Sequence, residues 1–308
     1  MKAQLAFALL TALAPLSSLV MGQAAAPKKP TVLLQYKFRP GERVAWEVVH
    51  EVNFDMTVNG VTQEASTWSK SEKAWKVMKT EDSRAFTVQN IVESVHMKRR
   101  VTGRADTEYN SLADREVPPG FENVAVSLGR PLSLMRFNLL GKLIARRDAQ
   151  QAGGQGQAES SQQLLVPLPS KRIPVGHVWS LRHEFPVKME SGVVLNIKAR
   201  DRFELTSLRG DVATIAVVNQ VLTPIEDPAV EAKLIHRIGT GTVEFSVRLG
   251  RPVMTRMEAD KTIVGVRGKT SSLHYKSNFT ERLLPARSLT ARPPKTGSQP
   301  KSGPGLKK

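Results

Sequence analysis

From Val44 to Val58 apolar and polar side chains alternate along the chain. Val44, Trp46, Val48, His50, Val52, Phe54, Met56 and Val58 take every second position, and Arg43, Glu47, Glu51, Asn53, Asp55 and Thr57 fill most of the others. A period of two held this long describes one β-strand with one buried face. At about 3.3 Å per residue it reaches roughly 50 Å, far beyond the usual five or six residues. A strand of that length requires a strongly curved sheet or a bulge that hides a break. Asn59-Gly60 then supplies a type I′ hairpin turn.

The same pattern returns 133 residues later, where WSLRHEFPVKM from Trp179 echoes WEVVHEVNFDM from Trp46. Trp179, Leu181, His183, Phe185, Val187 and Met189 alternate, Ser191-Gly192 closes the hairpin, and Pro186 predicts an edge or bulged strand because it cannot donate to a ladder. RPGERVAW and RIPVGHVW lead into the two strands. Farther on, the strand–turn–strand from Lys73 to Val92 matches the segment from Asp201, and the hairpin from Phe137, turning at Gly141, matches that from Phe245, turning at Gly250. A Trp–His coincidence alone means little, but ordered agreement across three elements points to a duplication. Each copy carries a short helix. In DPAVEAKLIHR, Asp227 caps, Pro228 suits the first position, Gly239 ends the run, and Val230, Leu234 and Ile238 form one apolar stripe. FENVAVSL, Phe121 to Leu128, is the second helix, and both are expected to lie across an open sheet end. The fold class is therefore mainly β: two repeated antiparallel β-meander units forming a curved sheet, half-barrel or barrel, with two short helices.

The ends set the destination. Residues 1–26 read as a signal peptide, with Lys2 ahead of an apolar run and small residues at Ala24 and Ala26, so the chain is expected to be exported to a periplasmic or extracellular space. The first β repeat is expected over 27–147, a flexible Gln- and Gly-rich linker over 148–163, the second repeat over 164–285, and a disordered basic tail over 286–308. The formal charge of +17 is unevenly spread: 1–29 holds three lysines and 286–308 six basic residues, none offset by acid, leaving +8 between them. Arg287, Arg292, Lys295, Lys301, Lys307 and Lys308 of the tail could be drawn to an anionic cell-envelope surface. With no cysteine in the chain, disulfides and thiolate metal sites are excluded and a packed core must supply stability.

Y-K-F-x-P-G-E at Tyr36 to Glu42, L-P-x-x-x-x-P-V-G-x-x-W at Leu168 to Trp179 and the final F-x-x-x-x-G hairpin resemble a family of secreted bacterial proteins of planctomycete type, known only as a domain of unknown function. The resemblance covers about 32 to 285, rests on turn and core residues, and implies no activity. A looser fold-level analogy is to the half-barrels of lipoprotein carriers, which hold acyl chains in a concave apolar face.

Chemical motifs are sparse. His50 and His183 stand on the apolar faces of their strands, four residues after a tryptophan. They read either as core histidines bonded to a neighbouring strand or as polar handles in a ligand pocket. Trp46, His50, Phe54, Trp179, His183 and Phe185 are accordingly the candidate ligand-binding residues, and an apolar or lipid-like molecule the candidate ligand. The sequence contains no H-E-x-x-H, G-x-S-x-G, P-loop or dinucleotide motif, so no metal, cofactor or catalytic residue is assigned, and no basic strand interleaved with aromatics marks a nucleic-acid platform. Asp106, Glu108, Asp114 and Glu116 lie among arginines in a polar insertion of the first copy, and internal charge pairing is the expected role. The expected function is a secreted, non-enzymatic binding or structural protein, with a hydrolase using a histidine cleft and an envelope scaffold as the alternatives.

Overall fold

The structure is a computed structural model that describes residues 30–78, 84–149, 165–189 and 192–286. The expected leader, most of the linker, Ser191 and the six basic residues of the tail lie outside the described residues. In chain order the elements are β1 (Thr31–Val32), β2 (Arg43–Val58), β3 (Val61–Met78), β4 (Ala85–Val101), β5 (Thr107–Asn110), α1 (Glu122–Ser127), β6 (Pro131–Asn138), β7 (Leu143–Asp148), β8 (Ile173–Pro174), β9 (Val178–Lys188), β10 (Val194–Arg209), β11 (Val212–Val221), α2 (Pro228–Leu234), β12 (Gly239–Ser246), β13 (Arg251–Val264) and β14 (Ser271–Leu283). The long alternating segment is one strand of 16 residues, paired with β3 without a bulge. It turns at Asn59 and Gly60, whose φ values of 50° and 80° are those of a type I′ turn.

All the large strands belong to one antiparallel sheet in the order β7-β6-β4-β3-β2-β14-β13-β12-β11-β10-β9, with β5 added beside β4. β7 and β9 end the path without pairing to each other, so the sheet is open and the barrel alternative is set aside. β9 is the edge strand that Pro186 predicts. The five strands of the first half, β7-β6-β4-β3-β2, and five of the second, β13-β12-β11-β10-β9, follow one spatial order, and β14 joins them by pairing with both β2 and β13.

The sheet is rolled. β2 and β9 are six places apart in the order, about 30 Å along a flat sheet, yet their side chains face one interior. Two devices hold the roll. At one end, where β2 begins, the segment 31–38 threads across the interior as a plug, paired to the 165–175 segment through β1 and β8. Leu34 and Tyr36 are each 1% exposed, and the Tyr36 ring meets Phe86 of β4 at 6.3 Å and Phe245 of β12 at 5.4 Å, one from each half. Burying side chains of this size contributes about 1.5–3 kcal/mol each, so the plug is a main source of cohesion between the halves. Its backbone is clamped by two matching turns, Tyr36 N donating to Leu139 O and Lys37 N to Gly250 O, each at 3.0 Å. At the far end α2 bridges the roll: Val230 and Leu234 pack with Val187 and Ile197, while Ile235 packs with Val52, Ile263, Leu273 and Tyr275. Asp227 caps it as expected, accepting from Ala229 N at 2.8 Å. The helix stops at Leu234, however, followed by a single 3-10 turn at Ile235–Arg237, and Gly239 opens β12 instead of ending the helix. α1 lies over β4 and β5 through Phe121, Val95 and Tyr109.

The expected equivalence of the Trp–His pairs needs a correction of register. Trp46 is opposite Lys73, whereas Trp179 is opposite Phe203. With β3 and β10 matched as the sequence matches them, Lys73 to Asp201, it is Leu181 and not Trp179 that occupies the place of Trp46, and His183 that of Val48. The lead-in turns agree: Gly41 N donates to Val77 O and Gly176 N to Leu205 O, which sets the two strands at the same shifted register. A slip of two residues leaves every side chain on its original face, so the alternation is identical in both alignments.

Candidate functional site

Between the plug and α2 the roll is not filled. A cavity of about 790 Å³ remains on the concave face, within the range of roughly 300–1,000 Å³ typical of small-molecule sites. Trp46, Val48 and His50 of β2 form one wall and Leu181, His183 and Phe185 of β9 the opposite one, with Phe203, Met257 and Phe279 between them. Leu165 and Val166 close it toward the plug, and His236, Arg237 and Ile238 close it toward α2. Inward alternation places these groups, so the same rule that makes the core at the plug end makes the cavity lining half a strand farther on.

Besides Ser71, Thr255, Glu258, His236 and Arg237, three partnered polar sets stand in the wall. His50 Nε2 lies 3.0 Å from Ser277 Oγ, with Phe279 edge-on to the imidazole at 5.8 Å. Burial pushes the His50 pKa below its ordinary value, so the ring is neutral near pH 7 and can donate or accept one hydrogen bond. Opposite, His183 Nδ1 is 3.7 Å from Asp201 Oδ2, and Asn219 Nδ2 donates to Asp201 Oδ1 at 2.6 Å. The third is the ion pair of Lys73 with Glu281; the Lys73 ammonium also sits over the Trp46 and Trp75 rings at 5.3 and 5.8 Å. Each of these three sets is thus paired within the protein, which is what burial beside apolar groups requires. A neutral His50 could take a proton from Ser277, but among the described residues no carboxylate bonds the other ring nitrogen, so no orienting acid accompanies the pair.

Of the six sequence-predicted residues, four meet here: Trp46, His50, His183 and Phe185. Phe54 and Trp179 do not. Phe54 lies farther out along β2, 38% exposed against Tyr275, because the roll has opened by that point. Trp179 sits at the plug end, stacked on Phe203 at 5.7 Å with its indole N–H donated to Pro167 O at 2.6 Å. Lys73, Asp201, Asn219, Ser277 and Glu281 were not singled out from sequence. Their clearest signal is a polar break between apolar inward neighbours, as at Asp201 between Ala199 and Phe203 or Glu281 between Phe279 and Leu283. Among the described residues no cluster of three or more His, Asp or Glu is arranged to hold a metal, and no helix is long and apolar enough to cross a membrane. In the acidic insertion Glu108 pairs with His96 and Lys98 and Asp106 with Arg100, while Asp114 accepts from Asn110 N at 2.7 Å.

No family model matches the chain, and no curated protein matches it. The planctomycete-type resemblance therefore rests on its turn and core residues alone. Among solved structures, one of lipovitellin, described by its lipid–protein interactions, aligns over 83% of this chain and 27% of its own at 10% identity and a TM-score of 0.47. This chain thus spans about a quarter of that protein's length. The translocator domain of the autotransporter NalP from Neisseria meningitidis aligns over 78% of this chain and 88% of its own, at 6% identity and a TM-score of 0.29. DynF from the dynemicin pathway of Micromonospora chersina aligns over 83% and 85%, at 7% identity and a TM-score of 0.21. Likenesses this distant leave the site to be read from its own geometry.

Proposed function

We propose that this is an exported binding protein whose rolled sheet holds one amphipathic, lipid-like molecule on its concave face. The observation that carries the reading is the unfilled 790 Å³ between two well-packed ends. Protein interiors close-pack, and a void of this size forfeits contacts that neighbouring side chains would otherwise make. Trp46, Leu181, Phe203 and Met257 offer the apolar body of a ligand a continuous wall, while His50 with Ser277 and Asn219 with Asp201 offer hydrogen bonds at fixed points. The duplicated pattern in the sequence, read with the common strand order of the halves, supports an origin in one half-sized β unit whose free edges were joined through β14.

The test is a fluorescence titration with a pyrene-labelled long-chain fatty acid. Ser71 lines the cavity and is only half-buried, so Ser71→Trp fills the space without displacing the packed core. One probe should bind per wild-type chain and binding should fall at least tenfold in Ser71→Trp, at unchanged thermal stability. Equal binding by the two proteins would refute the reading.

A further inference from the structure

Strand β12 is too short for its place in the sheet. It pairs with β11 only as far as Asn219↔Gly239 and with β13 only as far as Thr240↔Glu258, yet β13 continues to Val264. Beyond Gly239 the two flanking strands have lost the one between them, leaving a slot about two strand spacings, or roughly 10 Å, wide. A second hollow of about 950 Å³ occupies this slot beneath α2. It shares Asn219, Ile238, Gly239, Glu258 and Ala259 with the inner cavity. Its walls come from both faces of the sheet: Asn219 and Ala259 point inward, and Gln220, Asp260 and Lys276 point to the convex side. A hollow walled by both faces of a sheet, and sharing its inner wall with a cavity, passes through that sheet.

We infer that this window is the route by which the ligand reaches the cavity, and that the ligand's polar head rests in it while the chain lies inside. The inference builds on the proposed binding function. No strand covers the β12-facing side of β13 beyond Glu258, so the window's rim presents backbone polar groups that a head group can pair with. Charged side chains of both signs add to the rim, Lys261 and Lys276 among Glu231, Glu258 and Asp260. α2 roofs the window and is latched to its rim by Glu231 Oε1 and Lys261 Nζ, 2.5 Å apart. A second hold ties it to the edge strand, Lys233 Nζ donating to Lys188 O at 2.9 Å. Both contacts are partly exposed and weak, so ligand exchange needs their release together with a local loosening of the Val230 and Leu234 packing.

The chain has no cysteine, so Glu231→Cys with Lys261→Cys gives a unique pair that locks α2 onto β13, by a disulfide or by a reductant-cleavable methanethiosulfonate bridge where the thiols stand farther apart. Stopped-flow mixing of the full chain with the pyrene-labelled fatty acid measures uptake and release. The locked form should exchange probe at least tenfold more slowly than the same protein after reduction, with equilibrium affinity within about twofold. Glu231→Ala with Lys261→Ala, which frees the latch, should exchange it severalfold faster than wild type. Wild-type exchange rates in the locked form, with affinity intact, would overturn the window and leave the cavity reading standing. Absence of probe binding in every form would overturn the cavity reading and the window with it.

Discussion

Gly250 tests how the plug is held. Its φ of +63° lies in the left-handed region, and a Cβ there would stand 2.5 Å from Lys37 Cγ, 2.6 Å from Lys37 Cβ and 2.7 Å from Lys37 N. The last of these is backbone, which cannot swing aside. Alanine at Gly250 carries about 1–2 kcal/mol of left-handed strain wherever it occurs. Here it must also push the plug off the turn, losing the bond from Lys37 N to Gly250 O, worth about 1 kcal/mol. Disturbing the adjacent Tyr36 ring, buried to 1% exposure, adds about 1–3 kcal/mol of misfit. The expected loss for Gly250→Ala is about 3–6 kcal/mol. Gly60, at φ +80° with nothing within 4 Å of its missing Cβ, feels the strain alone, so Gly60→Ala should lose about 1–2 kcal/mol. Gly141, whose Cβ would come within 2.5 Å of the Tyr36 ring and 2.9 Å of Val166 O, should behave as Gly250 does. Urea unfolding at a common m-value separates the three, with about 2–4 °C of thermal midpoint per kcal/mol as a second reading. Equal losses at Gly60 and Gly250 would refute the plug's placement against the β12–β13 turn.

On the convex face His274 bridges Asp260 at 2.9 Å and Asp55 at 3.2 Å, and the bond to Asp260, then that to Asp55, raises its pKa above the ordinary 6.5. A raised folded-state value stabilises fully below the unfolded pKa and is lost as pH rises through the folded one. The stability gap between wild type and His274→Gln should therefore be fully present below the ordinary pKa of 6.5, be lost as pH rises above it, and shrink with salt because the group is exposed; a gap that widened with pH would contradict the bridge. In the cavity wall Lys73→Met strands the Glu281 carboxylate, whose side chain is 14% exposed, and should cost about 3 kcal/mol in urea unfolding. Adding Glu281→Leu should recover most of that loss, and a double variant less stable than the single would show that the pair is a net source of stability.

Much of this architecture is legible because period two is so strict. The alternation from Val44 to Val58, the Asn59-Gly60 turn, the edge position that Pro186 demands and the Asp227 cap are local rules, and tertiary packing does not override them here. The plug escapes local reasoning. Val32, Leu34, Tyr36 and Phe38 alternate like a strand, but the segment crosses the interior instead of joining the large sheet, and only contacts from both halves distinguish the two. The Trp–His register misleads for a related reason: moving a strand by two residues changes its partners and leaves its faces intact. Where along the strands the roll tightens is also silent in the alternation, so Trp179 falls in the core, Phe54 at the open rim and His50 at the cavity, all on inward positions. The polar residues that break the inward set, Asp201, Asn219 and Glu281, carry the positional information that the aromatic pattern lacks.

The central claim is that the interior between plug and α2 is a place for a ligand. Native mass spectrometry of the protein, purified gently after exposure to a bacterial lipid extract, addresses it most directly. One extra mass of a single amphipathic molecule per chain is expected on the wild type and none on Ser71→Trp. An unliganded wild type, or the same adduct on both proteins, would contradict it.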